Sequence, residues 1–161
     1  MNVTMKLNIG ELKPPFYTSL QNYIEQNQVK DFSPKNIYKI VSIIRSEKLP
    51  NPKKIASAGS FFKNVVLNEK QAEKAKAKGI PVWPDSDGNY KINSGWLIEA
   101  AGLKNAEICG FRVSDKAALI LINESATSYE QLEKAKNYII AVVKKQFGYT
   151  LEQEPVEIGH D

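Results

Sequence analysis

One connecting segment, residues 48–64, carries most of the side chains in this sequence that could do chemistry. It reads KLPNPKKIASAGSFFKN, with Ser60 directly after Gly59 and Asn64 close behind. Glycine lets a backbone approach a ligand closely because it has no Cβ, and binding residues concentrate on loops that a rigid scaffold positions. We therefore expect residues 48–64 to form a loop that contacts a ligand.

Ser60 could donate a proton or a hydrogen bond, whereas a nucleophilic role is disfavoured. The only histidine is His160, next to the end of the sequence, so a histidine base for serine-based acyl transfer is nearly excluded. The residues around Ser60 also lack the GxSxG pattern of a nucleophile elbow. From the residues alone, a turn or helix-cap serine is the favoured alternative.

Charged side chains flank this segment. Arg45, Lys48 and Lys63 could hold a phosphate group, although in isolation they are typical of exposed cations. Glu152, Glu154 and Glu157 lie together near the end of the sequence, where a group of carboxylates is most often simply solvated. These residues become candidates for a site only if other features support one.

The composition excludes several functional classes. The 161 residues are 42% hydrophobic and 25% charged, with a net charge of +4, as in ordinary soluble globular proteins. A single cysteine, Cys109, excludes an internal disulfide and a multi-cysteine metal site, and no Walker A or GxGxxG motif occurs. No apolar run approaches the ~20 residues that cross a bilayer, and no secretory signal is visible, so we expect a cytoplasmic protein without a membrane partner.

The elements that must position these residues form an α+β pattern, with helices on one face of a small mixed or antiparallel sheet. Alternating apolar residues predict strands, and apolar residues at helical spacing predict helices. The predicted helices span 17–26, 34–46, 69–78, 95–101 and 129–147, and the predicted strands span 3–9, 108–113, 117–122 and 149–158.

Cap residues support the predicted helix ends. Side chains that accept from free backbone N–H groups precede several helices, and Gly148 follows the last one. The predicted N-terminal caps are Ser33 before Pro34, Asn68, Asn93 or Ser94, and Thr127 or Ser128 in a capping box with Glu130 or Gln131.

Several motifs, in order along residues 45–159, resemble the UDP-N-acetylenolpyruvoylglucosamine reductase family, also called UDP-N-acetylmuramate dehydrogenase. The family's active-site segment is similar to RSEKLPNP at 45–52 and AGSFFKN at 58–64. SGWLIEAAGL at 94–103, ICGFRVSDKAALILIN at 108–123 and LEQEPVEIG at 151–159 resemble its later motifs. Departures include Val65 and Gln153, where the family has proline.

The resemblance implies a two-step reduction. Reduced FAD, recharged by NADPH, gives a hydride to the enolpyruvyl double bond of UDP-GlcNAc-enolpyruvate, and the resulting carbanion takes a proton. In this sequence the resemblance makes Ser60 the proton donor and Glu154 the catalytic glutamate near the developing charge. The residues that it assigns to substrate binding are Tyr17, Arg45, Lys48 and Asn64.

The resemblance also implies a domain arrangement. Residues 1–49 would end the FAD-binding domain, 50–148 would form the substrate-binding C-terminal domain, and 149–161 would form a return strand carrying the glutamate. The family's N-terminal FAD-binding portion has no counterpart in this sequence. We therefore expect a C-terminal fragment that neither holds FAD well nor turns over, and that dimerises through exposed edges of its opening and final strands.

Two other functions stay open at this point. A stand-alone UDP-sugar-binding module could use the same loop without redox chemistry. A basic nucleic-acid-binding domain is favoured only by the net charge of +4 and the lysine-rich helix at 69–78, and that helix is typical of a solvated surface.

Overall fold

The chain divides into two units, residues 1–49 and 50–161, in a computed structural model. The structure describes residues 2–6, 10, 12–49, 51 and 53–158. None of the helices in these ranges combines the length and the apolarity needed to span a membrane.

The first unit is built around two helices, α1 (Thr18–Gln26) and α2 (Pro34–Lys48). Helix α2 begins as predicted, because the Ser33 side chain accepts a hydrogen bond from the Asn36 backbone N–H at 3.4 Å and Pro34 takes the first helical position. The apolar faces of the two helices meet in a small buried cluster, which consists of Leu20, Ile24, Ile37, Ile40 and Ile44.

The strand predicted at 3–9 is wrong for the residues that the structure describes. Residues 2–6 form no strand, and Val3 and Met5 are 79% and 74% exposed. Leu7 and Ile9, which complete the alternating pattern, lie outside the described residues. Alternation marks one apolar face, but a strand also needs a hydrogen-bonding neighbour, and none of the described strands pairs with residues 2–6.

The described part of the second unit contains two antiparallel sheets and three helices. The first sheet has the order β1-β7-β6-β5 and the second has the order β2-β4-β3. The strands are β1 (Ala56–Ser60), β2 (Val65–Leu67), β3 (Trp83–Pro84), β4 (Tyr90–Ile92), β5 (Glu107–Ile108), β6 (Phe111–Val113) and β7 (Ile120–Asn123). The helices are α3 (Glu69–Ala77), α4 (Ser94–Ala100) and α5 (Tyr129–Phe147). The α+β class predicted from the sequence is confirmed.

Local cap chemistry explains why these helices begin where the sequence predicted. Ser128 and Gln131 form a capping box at α5, and Asn68 and Gln71 form another at α3. At the far end of α5, Gly148 takes a left-handed conformation with φ of +81°. The predicted helix 129–147 therefore matches α5 at both ends.

The core of the second unit fixes the candidate segment in place. Phe61 and Phe62 are 4% and 1% exposed, and their rings meet edge to face at 5.1 Å. Around them pack buried residues of α4, α5, the strands and the C-terminal segment, which include Ile92, Leu97, Val113, Leu121, Ile139, Val143 and Leu151. Because both phenylalanines are buried, the residues on either side of them have restricted positions.

The structure corrects three sequence predictions in this unit. Residues 48–64 are not a continuous loop, because β1 forms within them and pairs with β7. The strand predicted at 108–113 is folded back on itself into β5 and β6. The final strand predicted at 149–158 is reduced to a single bridge between Phe62 and Gln153.

Candidate functional site

The candidate site forms where the end of β1 meets the C-terminal segment. The Lys63 backbone N–H donates to the Glu152 carbonyl, and the Glu154 N–H donates to the Phe61 carbonyl, both at 2.9 Å. On the other side of the same segment, the Phe61 N–H donates to the Leu119 carbonyl at 2.8 Å. Residues 61–63 are therefore held between the residues before β7 and the C-terminal segment.

This arrangement brings Ser60 and Glu154 onto neighbouring pieces of backbone. Ser60 is the exposed last residue of β1 and pairs with Ile120, after an irregularity in the β1 register. Glu154 is also exposed, and its backbone bonds to Phe61, the residue that follows Ser60. A hydroxyl and a carboxylate that are far apart in sequence are thus carried by adjacent segments.

Asn64 lies at the far end of the same short segment and is exposed. Its side-chain oxygen, Oδ1, accepts a hydrogen bond from the Ser94 backbone N–H at 3.2 Å. Because a backbone N–H can bond only to the oxygen of the carboxamide, this contact determines which end of the side chain faces α4. The Nδ2 group, which is a donor, occupies the other end.

A polar pocket of about 220 Å³ opens beside Asn64. The Lys63 Nζ lies 3.8 Å from a carboxylate oxygen of Glu152 in its lining, and both side chains are mostly exposed. Sites that enclose a whole small ligand have volumes of roughly 300–1,000 Å³, so this pocket has room for part of such a ligand. The lining residues are Lys63, Asn64, Val65, Val66, Thr150 and Glu152.

A second pocket, of about 200 Å³, is largely apolar and lies over β1 and β7. Phe61 contributes to its wall, so it adjoins the segment that also carries Ser60 and Asn64. The lining residues are Ala56, Ser57, Ala58, Phe61, Phe111, Leu121, Asn123 and Leu132.

The other three predicted site residues belong to the first unit. Tyr17 is 77% exposed and stands at the start of α1, where its carbonyl accepts from the Leu20 and Gln21 N–H groups. Arg45 and Lys48 are exposed on the last turn of α2, where positive charge complements the helix dipole. The structure therefore groups Arg45 with Lys48, and it groups Ser60, Asn64 and Glu154 separately within the second unit.

Side-chain contacts tie the C-terminal segment to α5. The Gln153 Nε2 donates to the Pro155 carbonyl at 2.7 Å and to a Glu157 carboxylate oxygen at 3.0 Å. The Tyr129 hydroxyl, which donates to Glu133 Oε1 at 3.3 Å, and then the hydrogen bond from Gln153 hold the pKa of Glu157 below its ordinary value of 4.5, and Lys136 lowers it further. In return, the nearby carboxylates of Glu157 and Glu133 raise the pKa of Tyr129.

Two residues that contribute to this geometry, Ser94 and Gln153, were not identified as site residues from the sequence. Ser94 was considered only as a possible helix cap, but Asn93 fills that role by accepting from the Trp96 N–H at 3.0 Å. Gln153 was noted only as a departure from proline. In the bridge between Phe62 and Gln153, the hydrogen bonds are made by Glu152 and Glu154, the residues on either side of Gln153. The N–H of Gln153 takes no part in the pairing, so the proline that the family has at this position would also fit there.

The three pockets described in the second unit measure about 200, 220 and 290 Å³, and each is too small for a flavin dinucleotide. Among the described residues, no group of three histidine, cysteine or carboxylate side chains could hold a metal ion.

The fold and the site together define an α+β domain that presents a serine, an asparagine and a glutamate at one strand end. The family model for the C-terminal domain of UDP-N-acetylenolpyruvoylglucosamine reductase matches residues 51–158. The chain belongs to this family and carries its C-terminal domain.

Curated relatives carry the same name. The enzyme of Buchnera aphidicola subsp. Baizongia pistaciae is 38% identical over 154 residues, which cover 92% of this chain and 46% of that protein. Those of Wigglesworthia glossinidia brevipalpis and Shewanella sediminis are 44% and 40% identical, over 86% and 79% of this chain and 40% and 38% of their own lengths. The chain thus spans less than half the length of these relatives.

Proposed function

We propose that this chain supplies the substrate-binding part of a reductase that converts UDP-GlcNAc-enolpyruvate to UDP-N-acetylmuramate, with FAD and NADPH, in cytoplasmic peptidoglycan precursor synthesis. The observation that carries the proposal is the backbone pairing of residues 61–63 with residues 152–154. Ser60 directly precedes residues 61–63, and Glu154 is the last of residues 152–154. The pairing therefore supports a shared role for these two residues. The family membership supports the reaction type.

In the proposed mechanism, Ser60 protonates the substrate carbanion. A proton donor must come within hydrogen-bonding reach of the atom that it protonates, and an exposed hydroxyl at a strand end can be reached by a bound substrate. Glu154, which corresponds to the family's catalytic glutamate, is proposed to stand near the developing charge.

Asn64, Lys48, Tyr17 and Arg45 are proposed to bind the substrate's diphosphate. The amide Nδ2 group and the cationic side chains are donors, and charge-assisted hydrogen bonds to phosphate oxygens are among the stronger ones in proteins. The polar pocket beside Asn64 supports a diphosphate position there, because Lys63 adds a cation to its lining. Glu152 offsets part of that charge.

We further propose that FAD and NADPH bind to a portion of the enzyme outside the residues described here. The family membership supports this assignment, because the family model that matches residues 51–158 describes a C-terminal domain. The isolated chain is then expected to purify without flavin absorbance and without reductase activity. Stoichiometric FAD bound to the purified chain would contradict this assignment.

Isothermal titration with UDP-GlcNAc tests the substrate site. We expect Asn64→Ala and Lys48→Ala to weaken binding about tenfold each, because each removes a charge-assisted hydrogen bond. Asn137→Ala on α5 and Lys39→Ala on α2 are matched controls, since both residues are exposed and neither belongs to the proposed site. Equal affinity for Asn64→Ala and Asn137→Ala would contradict the role of Asn64.

A stand-alone UDP-sugar-binding module is the second candidate. It is favoured by one observation, namely that the polar pocket beside Asn64 is lined entirely by residues of the second unit. The two candidates differ when the flavin-binding half of a relative is added in trans. Reductase activity in the mixture would support the first, and tight UDP-sugar binding with no activity would support the second.

A further inference from the structure

We propose that Ser94 is a positioning residue that holds Asn64 with its amide donors directed toward the ligand. This inference rests on the proposed role of Asn64 in binding a diphosphate. Ser94 makes two hydrogen bonds to the candidate segment, one through its side chain and one through its backbone.

The first bond satisfies a buried carbonyl. Phe62 is 1% exposed. Its pairing with Gln153 uses the backbone groups of residues 61 and 63, and it therefore leaves the Phe62 carbonyl without a partner from the C-terminal segment. The Ser94 hydroxyl, itself 0% exposed, donates to this carbonyl at 3.1 Å. A buried carbonyl without a partner is costly, so removing the hydroxyl should displace Phe62 and the residues beside it.

The second bond sets the orientation of the Asn64 carboxamide. The Ser94 N–H donates to Oδ1 at 3.2 Å, so Nδ2 and its two hydrogens face away from α4. In the reverse orientation the side chain would offer an oxygen to an anionic ligand, and the two would repel each other. The orientation that Ser94 imposes is therefore the one that can donate to a diphosphate.

The start of α4 is packed closely enough to hold both bonds. A Cβ on Gly95 would lie 2.9 Å from the Asn93 side-chain oxygen and 3.1 Å from a methyl of Leu119. Leu119 is also the residue whose carbonyl accepts from the Phe61 N–H. The absent side chain at Gly95 thus allows the start of α4 to pack against Leu119, next to the candidate segment.

The test compares Ser94→Ala with Ser114→Ala. Ser114 is the matched control because it is 1% exposed and its hydroxyl also bonds backbone groups, the Lys116 and Ala117 N–H groups, but none in the candidate segment. Each variant is measured by urea unfolding, by titration with UDP-GlcNAc, and by the NMR resonances of the Asn64 side-chain amide. We expect Ser94→Ala to weaken binding about tenfold and to shift the Asn64 amide resonances, while Ser114→Ala changes neither.

A second variant keeps the proposal testable if Ser94→Ala does not fold. Ser94→Cys replaces the hydroxyl by a slightly larger thiol with a weak S–H donor, so its affinity should fall between those of the wild type and Ser94→Ala. Wild-type affinity and unshifted Asn64 resonances in a folded Ser94→Ala would overturn the proposal, as would equal losses in the two serine variants.

The NMR readout also separates this proposal from the proposed function. If the wild-type chain binds no UDP-GlcNAc, the diphosphate site is wrong, but the Asn64 amide still reports its own orientation. In that case, shifted resonances in Ser94→Ala support the positioning role, and unshifted ones overturn it.

Discussion

Cys109 and Gly110 form the turn between β5 and β6, and both have left-handed backbone conformations. Their φ values are +50° and +84°. A two-residue hairpin turn of this kind matches the natural twist of the strands, but it strains a residue that carries a Cβ. Gly110 has a further constraint, because the Glu124 and Ser125 N–H groups both donate to its carbonyl.

We predict that Gly110→Ala destabilises the protein more than Gly88→Ala. At Gly110 a Cβ would lie 2.8 Å from the backbone nitrogen of Ala126, whereas at Gly88, with φ of +78°, nothing lies within 4 Å. Gly88→Ala should therefore cost only the left-handed strain, about 1–2 kcal/mol, and Gly110→Ala should cost clearly more. Urea unfolding of both variants measures the difference, and equal losses would contradict the close contact.

Glu157 makes the stability of the C-terminal segment depend on pH. Because its pKa is lowered in the folded state, its contribution is fully present above the ordinary value of 4.5 and is lost as pH falls through the lower folded value. The hydroxyl of Tyr129 is the main cause of that lowering.

We predict that Tyr129→Phe reduces this loss of stability in acid. The variant lacks the hydroxyl, so less stability remains to be lost as pH falls below the ordinary value of 4.5, and the free energies of unfolding of the two proteins should converge at the acid end. Tyr138→Phe on the same helix is the control, since Tyr138 is 52% exposed and is not among the groups that shift Glu157. Parallel curves for the wild type and Tyr129→Phe would exclude the proposed linkage.

The helices show how much of the fold is determined by residues that are close together in the sequence. Helix α5 was predicted with correct ends because Ser128, Gln131 and Gly148 each act within a few residues of the helix end that they define. Strand β1 was not predicted, because its sequence ASAGS has little intrinsic preference for strand and depends on pairing with β7. The prediction of a return strand at 149–158 was wrong for the opposite reason. Its apolar pattern favours a strand, but the segment pairs only through the single bridge between Gln153 and Phe62.

We predict that Ser128→Ala destabilises the protein by about 1 kcal/mol, the usual effect of losing an N-cap side chain. Ser128 accepts from the Gln131 N–H at 3.3 Å, and Gln131 bonds back to the Ser128 N–H at 3.2 Å. Thermal unfolding followed by circular dichroism measures the effect. Ser86→Ala, in the turn after β3, is a control that should change the midpoint little, and an equal change in both variants would contradict the importance of the cap.

The candidate site was predictable only in part. The glycine and serine types in residues 58–64 indicated a ligand-binding segment, and family motifs supplied roles for Ser60 and Glu154. Ser94 carries no comparable signal, because an Asn-Ser pair before a helix contains two possible caps and only tertiary contacts decide between them. The roles themselves remain predictions until the variants are measured.

The two units have separate buried clusters. The cluster of the first unit and that of the second share no residue. The two segments from which dimerisation was predicted carry exposed apolar side chains, since Val3 and Met5 are 79% and 74% exposed and Val156 and Ile158 are 87% and 90% exposed. Exposed apolar side chains in such segments favour association with another chain.

We predict that the isolated chain dimerises, and that replacing Val156 and Ile158 together by serine shifts it toward the monomer. The two side chains expose apolar surface whose burial would stabilise a dimer. Gel filtration with light scattering measures the mass of each species across a range of protein concentrations. A wild-type chain that is monomeric at every concentration would contradict this prediction.

The pairing of residues 61–63 with residues 152–154 also has a consequence for biosynthesis. A ribosome releases the earlier segment long before the later one, so the carbonyl of Phe61 and the amide of Lys63 emerge before their partners exist. A nonsense codon just after Gly148 would therefore leave every named helix and strand encoded while deleting residues 152–154, one of the two paired segments. Such a truncated product would lose the buried Leu151 as well as the geometry on which the chemistry depends.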